Sequence, residues 1–130
     1  MHQIGQIFLR VILGGIFAIH GYMKFQGGIS NIVGYFDSLS IPGFAAYFVA
    51  IIELVGGVAM ILGLGSRIIG ALFAIIMLGA IVTAKWSLGL LGADGMAGYE
   101  FELALLAMSV YFVFATPTPL SVDALLKSKI

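Results

Sequence analysis

Four long apolar stretches, parted by short segments rich in glycine, proline and charge, occupy residues 4–25, 44–64, 66–86 and 98–115. A helix needs about 20 mainly apolar residues to cross a bilayer, so each stretch is predicted to span one. The last is slightly short, and tilt or local thinning of the bilayer accommodates it. The breaks between stretches have chemical causes. Gly27-Gly28 ends the first, Pro42-Gly43 precedes the second, and Gly63 and Gly65 mark a tight turn. Residues 92–98 hold the third loop, and Pro117 and Pro119 stop the fourth stretch.

Two shorter patterns lie outside the spans. Ile29, Ile32, Val33, Phe36 and Leu39 recur at helical spacing, with Asn31, Asp37 and Ser38 elsewhere on the wheel. They predict an amphipathic helix at the membrane interface, either a plain cover for the bundle mouth or a gating lid. In the tail, Ser121 is positioned as an N-cap, Asp123 falls in the first turn, and Lys127 and Lys129 fall in the last. The pattern predicts a short C-terminal surface helix. The expected architecture is a single all-α domain over residues 1–130, an integral membrane four-helix bundle.

Composition agrees with this pattern. The 130 residues are 62% hydrophobic and 9% charged, with mean hydropathy +1.16. Soluble domains average about 45–50% apolar and about 25% charged, and a chain this short could not bury such an excess from water. Net charge is zero, which gives no footprint for nucleic acid. No cysteine is present, so the chain has no disulfide, thiol chemistry or thiolate-held metal of its own. Two histidines, His2 and His20, are too few for a protein-only transition-metal site. Residues 1–3 are not a basic leader and no small-residue cleavage site follows the first stretch, which reads as a retained span. Arg10, Arg67, Lys127 and Lys129 on one side, against Lys24 and Lys85 on the other, place both termini and the second loop in the cytoplasm.

A short internal similarity links Gly14–Ile19, GGIFAI, to Gly70–Ile75, GALFAI. Two helix hairpins repeated about the membrane normal would produce it; so would coincidence among common apolar residues.

Charge inside a span is the main anomaly. With a rise of ~1.5 Å per residue, Arg10 lies about 9 Å inside the cytoplasmic boundary and Glu53 about 13 Å from the outer one. On the same scale His20 lies about 7 Å from the outer boundary, Lys24 at it, and Glu100 and Glu102 about 3–6 Å inside it. A charge at the bilayer centre costs about 2.5–3.5 kcal/mol, so such groups turn inward and pair. Arg10, Gly14, Phe17, Gly21 and Lys24 share a helical face. The expected pairing is Arg10 with Glu53, beside an outer cluster of His20, Lys24 and Glu100. Against a functional reading, Arg10–Glu53 also serves as a structural register pin, Arg67 as a snorkelling cation, and Lys85 with Trp86 as interfacial anchors. Glu102 is assigned to the headgroups, and the methionines to packing.

These residues resemble the DoxX family. The run LRVILGGIFAIHGYMKF has its arginine, apolar helix, His-Gly and lysine, and Glu53 with Gly56-Gly57 followed by ILGLGSR is similar to its second helix and turn. GYE at residues 98–100 and SVDALL at 121–126 resemble its fourth-helix opening and tail. The agreement runs from about Phe8 to Leu126. The chain departs from the family in having Thr116-Pro117-Thr118-Pro119 where Gly-Pro-Gly is common, and in the extra acid Glu102.

The resemblance implies a small four-helix bacterial membrane protein. Family members are named as oxidoreductase subunits, some linked to thiosulfate:quinone oxidoreduction and some to oxidative-stress complexes. One subgroup accompanies ring-cleaving dioxygenases in quinone and catechol resistance, and the short four-span layout looks like that subgroup. The fold class is also related to a secretory cargo receptor, so fold does not dictate redox chemistry.

The leading expectation is therefore a redox-associated subunit that binds a quinone-like or small aromatic molecule within the bundle. His20 and Lys24 would donate hydrogen bonds to a ring oxygen, and Glu100 or Glu53 would accept or relay a proton, His20, Lys24 and Glu100 being the candidate catalytic residues. Arg10, Phe17 and Glu53 are the candidate substrate-binding residues. The sequence carries no flavin motif, haem ligand pair or iron–sulfur cysteines, so electrons would come from a quinone ligand or from a soluble oxidoreductase or dioxygenase partner. Two other classes stand beside this one, a transporter-like binder without redox chemistry and a membrane anchor for soluble enzymes. Four short helices make a thin wall, which leaves a homodimer open.

Overall fold

The computed structural model describes residues 2–115 and 121–128. Pro117, Pro119, Lys129 and the side chain of Lys127 lie outside the description. Among the described residues the chain is helical and has no strand. It runs through α1 (His2–Gln26), α2 (Ile29–Ser38), α3 (Phe44–Leu62), α4 (Ser66–Ala80), α5 (Glu100–Phe114) and α6 (Val122–Ser128). Beyond α4 the helix continues as a π turn, Ile81–Lys85, and a 3-10 turn, Trp86–Leu88.

Among the described residues, three stretches are long and apolar enough to cross a membrane: Ile4–Gln26, Phe44–Leu62 and Ser66–Leu88. The fourth apolar stretch, residues 98–115, forms a helix of 15 residues, shorter than the roughly 20 of a full-length crossing. Its start is fixed by the preceding loop. The Tyr99 and Glu100 N–H groups donate to the Gly89 and Leu90 carbonyls, at 3.1 and 3.2 Å, and the helix begins only there. At the other end Ala115 is already extended.

The helices pack as two antiparallel hairpins, α1 on α3 and α4 on α5. Glycine sets the closeness of both. A β-carbon at Gly14 would lie 2.5 Å from the Gly57 carbonyl oxygen, and one at Gly21 would strike the Leu54 backbone. In the second hairpin, a β-carbon at Gly70 would lie 2.8 Å from the Ser109 carbonyl oxygen. Gly14 and Gly70 are the matched first positions of the internal similarity. The matched aromatic residues, Phe17 and Phe73, stack on each other between the hairpins, with centroids 3.7 Å apart and planes at 10°. Both are buried, within a core that includes Leu13, Met60 and Phe112. The similarity thus has a structural counterpart at the two positions that matter most for packing.

The turn from α3 to α4 uses left-handed backbone at Gly63 (φ 74°) and Gly65 (φ 64°), a conformation that costs glycine nothing. The tail is fastened to this turn. Asp123 accepts from the Gly65 and Ser66 N–H groups at 2.8 and 3.3 Å and so caps α4, while its own N–H donates to the Gly63 carbonyl at 3.1 Å. Ser121 Oγ accepts from the Ala124 N–H at 3.1 Å, as expected of an N-cap. α2 also matches its sequence reading. Ile29, Ile32, Val33, Phe36 and Leu39 are half-buried, while Asn31, Asp37 and Ser38 face out.

Candidate functional site

The hairpins part above the Phe17–Phe73 stack, toward the end of the molecule that carries α2. A cavity of about 460 Å³ opens there, within the range of small-molecule sites. Phe17, Ile76 and Leu105 form its floor, and Ile32, Tyr35 and Phe36 of α2 cover it.

Polar groups enter this apolar chamber from both hairpins. On α1, residues 17, 20 and 24 follow one another at helical spacing, bringing Phe17, His20 and Lys24 to one face. The glycine contacts place Gly21 opposite Ala50 and Leu54. Side chains tilt toward the N-terminus of their own helix, so Lys24 reaches back to Glu53, and the two form an ion pair and hydrogen bond. The Glu53 side chain is 4% exposed and that of Lys24 21%.

The second hairpin supplies a similar pair. Lys85, at the end of the π turn, lies 3.5 Å from Glu102 Oε2 near the start of α5. Glu102 Oε1 is buried with no hydrogen-bond partner among the described residues. His20 stands between the hairpins, its ring 5.9 Å from that of Phe101. Thr83, also on the wall, donates to the Gly79 carbonyl at 2.7 Å, a back-bond within the distorted turn.

Of the residues singled out from sequence, Phe17, His20, Lys24 and Glu53 line the cavity. Glu100 does not; it is exposed as the first residue of α5, and Glu102, two positions on, faces inward in its place. Arg10 lies at the opposite end of α1, so the expected Arg10–Glu53 pair is corrected. The antiparallel register leaves the two about 16 Å apart along the helix axis, from the 11 residues between Arg10 and Gly21. Arg10 is buried instead under the α3–α4 turn, its Nη1 beside Gly63 and the Asp123 carboxylate within electrostatic reach. The sequence pattern puts Lys85 and Glu102 at the interface, whereas the structure brings both to the cavity wall. Applying the hairpin repeat to charge, a lysine at the outer end of the first helix and a glutamate on the second, would have found them. Among the described residues no group of three or more histidine or carboxylate side chains is arranged to hold a metal.

Comparison with known proteins agrees with the residue pattern. The profile of the DoxX family matches residues 5–86. A protein of Bacillus subtilis (strain 168) named "Putative oxidoreductase CatD" is 42% identical over 121 residues, 93% of this chain and 86% of the relative. "Uncharacterized membrane protein Rv3486" of Mycobacterium tuberculosis (strain ATCC 25618 / H37Rv) is 29% identical over 133 residues, 95% of this chain and 82% of the relative. No solved structure matches.

Proposed function

This chain belongs to the DoxX family of membrane proteins, and we propose that it is a redox-associated subunit of a bacterial cell membrane that holds a quinone-like or small aromatic molecule between its hairpins. The observation that carries this reading is the cavity of about 460 Å³, apolar over most of its wall, into which His20 and two Lys–Glu pairs converge. Ligand sites in general combine such a wall with a few placed polar groups.

In this reading Phe17 offers a ring face for stacking, and His20 and Lys24 donate to a ring oxygen. Glu53 and Glu102 hold or pass the proton that accompanies a change of oxidation state. Glu102 takes the role assigned from sequence to Glu100 because, of those two, it is the one on the cavity wall. Electrons come from the ligand's own couple or from a soluble oxidoreductase or dioxygenase partner, and the outcome is detoxification of quinones or catechols. The relative named as an oxidoreductase supports the redox part of this assignment.

The membrane arrangement belongs to the same proposal. α5 crosses with the other three helices by tilt and local thinning. Both termini and the α3–α4 turn face the cytoplasm, and α2 and the cavity lie toward the outer surface. The test is isothermal titration of the full chain in lipid nanodiscs with menadione, using empty nanodiscs as reference. Saturable heat above the reference, with affinity weakened about tenfold by His20→Ala, the effect of one strong hydrogen bond, is expected. Partition into lipid alone, identical with and without protein, would overturn the proposal.

A further inference from the structure

The wall of the chamber is not continuous. Near the floor α3 and α4 touch: a β-carbon at Gly56 would lie 3.1 Å from the Phe73 ring and 3.4 Å from a methyl group of Ile69. Nearly two turns beyond Phe73, a β-carbon at Gly79 would meet nothing within 4 Å. Ile75, Gly79 and Thr83 all line the chamber, yet all three are exposed, Ile75 at 67%. They recur every four residues and so form one edge of α4, with the chamber on one side and the outer surface on the other. Across from them α3 contributes Ala45 and Val49 to the lining. α2 packs on α3 and α1, so it covers the chamber from above and leaves the side between α3 and α4 open.

This gap lies at membrane depth. Residues 75–83 belong to the apolar stretch Ser66–Leu88, and they sit about 7–20 Å short of its Leu88 end at ~1.5 Å of rise per residue. A hydrocarbon layer ~30 Å thick covers that depth, so the gap faces acyl chains. Its rim is apolar in effect. Thr83 is the polar side chain on the α4 edge, and its hydroxyl is donated to the Gly79 carbonyl. The charged groups stand deeper, Lys24 on α1 bound to Glu53 on α3.

We infer that the gap between α3 and α4 is a lateral doorway and a subsite for a hydrocarbon chain. The ligand is an amphiphile taken from the bilayer, its polar head in the chamber toward His20 and Lys24–Glu53 and its chain lying out between Ala45 and Gly79. The inference rests on the cavity reading above and deepens it by naming the source of the ligand and its second part. The chain adds little affinity, because lipid is as apolar as the rim. The gap instead lets a chain-bearing molecule bind without folding its chain into the chamber and without displacing α2.

Two probes that share a head test it, menadione and its 3-decyl derivative, at matched mole fractions in nanodiscs holding the full chain. Native mass spectrometry counts the probe retained by the protein apart from that dissolved in lipid. Both are expected to bind the unaltered protein to a similar extent. Gly79→Trp, which fills the gap, is expected to weaken the decyl derivative at least about tenfold and to leave menadione within about twofold. Leu78→Trp, at a neighbouring position 54% exposed and off the cavity wall, is expected to change neither. Exclusion of the decyl derivative from the unaltered protein while menadione binds would overturn the doorway and leave the cavity reading in place. So would a Gly79→Trp variant that holds both probes normally or loses both alike. Retention of neither probe by the unaltered protein would overturn both readings. A photoreactive version, with a diazirine on the second chain carbon, needs no variant. Crosslinks are expected at Ala45, Val49 or residues 75–83, and crosslinks to α1 or α2 in their place would sink the doorway.

Discussion

Lys24 is bound to Glu53 across the α1–α3 contact, and Arg10, on the same face of α1, is not. Glycine decides the partnership: Gly21 against Leu54 fixes a register in which the lysine alone can reach the acid. Removing one member of a buried pair leaves the other charged and alone, at a cost of about 3–5 kcal/mol. Glu53→Ala is expected to lower unfolding stability in detergent by that order, and Lys24→Met combined with Glu53→Leu to recover most of the loss. Equal stability of the Glu53→Ala variant and the unaltered protein would show that the pair adds nothing.

A double-mutant cycle tests the electrostatic neighbour of Arg10, Asp123, against the partner expected by depth. Arg10→Met with Asp123→Asn should show a coupling of about 0.5–3 kcal/mol, as neighbours do. Arg10→Met with Glu53→Gln should be additive to within about 0.5 kcal/mol, as separated sites are. Asp123→Ala alone, which strips the cap from α4, is expected to cost about 0.5–2 kcal/mol. The reverse pattern of coupling would restore the Arg10–Glu53 pairing.

The glycines of α1 and α3 are not equivalent. A β-carbon at Gly57 would collide with the Ala18 backbone, while one at Gly15 would meet nothing within 4 Å. Gly57→Ala should destabilise by about 1–3 kcal/mol through overpacking. Gly15→Ala should be neutral, or stabilising by up to about 1 kcal/mol through helix propensity. Thermal unfolding of the two variants side by side checks the contrast.

The absence of native cysteine makes orientation easy to measure. Ser38→Cys and Ala97→Cys, exposed in the first and third connections, should react with a membrane-impermeant maleimide in intact cells. Leu64→Cys, in the α3–α4 turn, should react only after permeabilisation. Labelling of Leu64→Cys alone in intact cells would invert the proposed topology.

What could be read from the chain divides along physical lines. Hydropathy over some 20 residues located α1, α3 and α4 because a bilayer imposes length on whatever crosses it. The alternation in 29–39 located α2 for a similar reason, a helix with water on one side and apolar matter on the other. Pairing was harder. Depth arithmetic treated Arg10 and Glu53 as points on parallel rods, whereas register depends on which glycines interlock, and that is a property of two helices together. The choice between Glu100 and Glu102 failed differently. They stand about 200° apart on a helix, but α5 is apolar nearly all round and shows no stripe from which to phase them. The hairpin repeat was visible in six residues, and its two Lys–Glu pairs were hidden because the second lysine lies past the end of the regular helix.

That irregular ending has a mechanical consequence. A π turn holds one residue more than an α turn, so rewinding 81–85 to the ordinary pitch would swivel the Lys85 ammonium on the order of 100° about the axis, one residue's worth of rotation. The Lys85–Glu102 clasp therefore hangs on a winding defect, whereas Lys24–Glu53 is anchored in uninterrupted helix at both ends. One jaw of the chamber is fixed, and the other can let go without either hairpin coming apart.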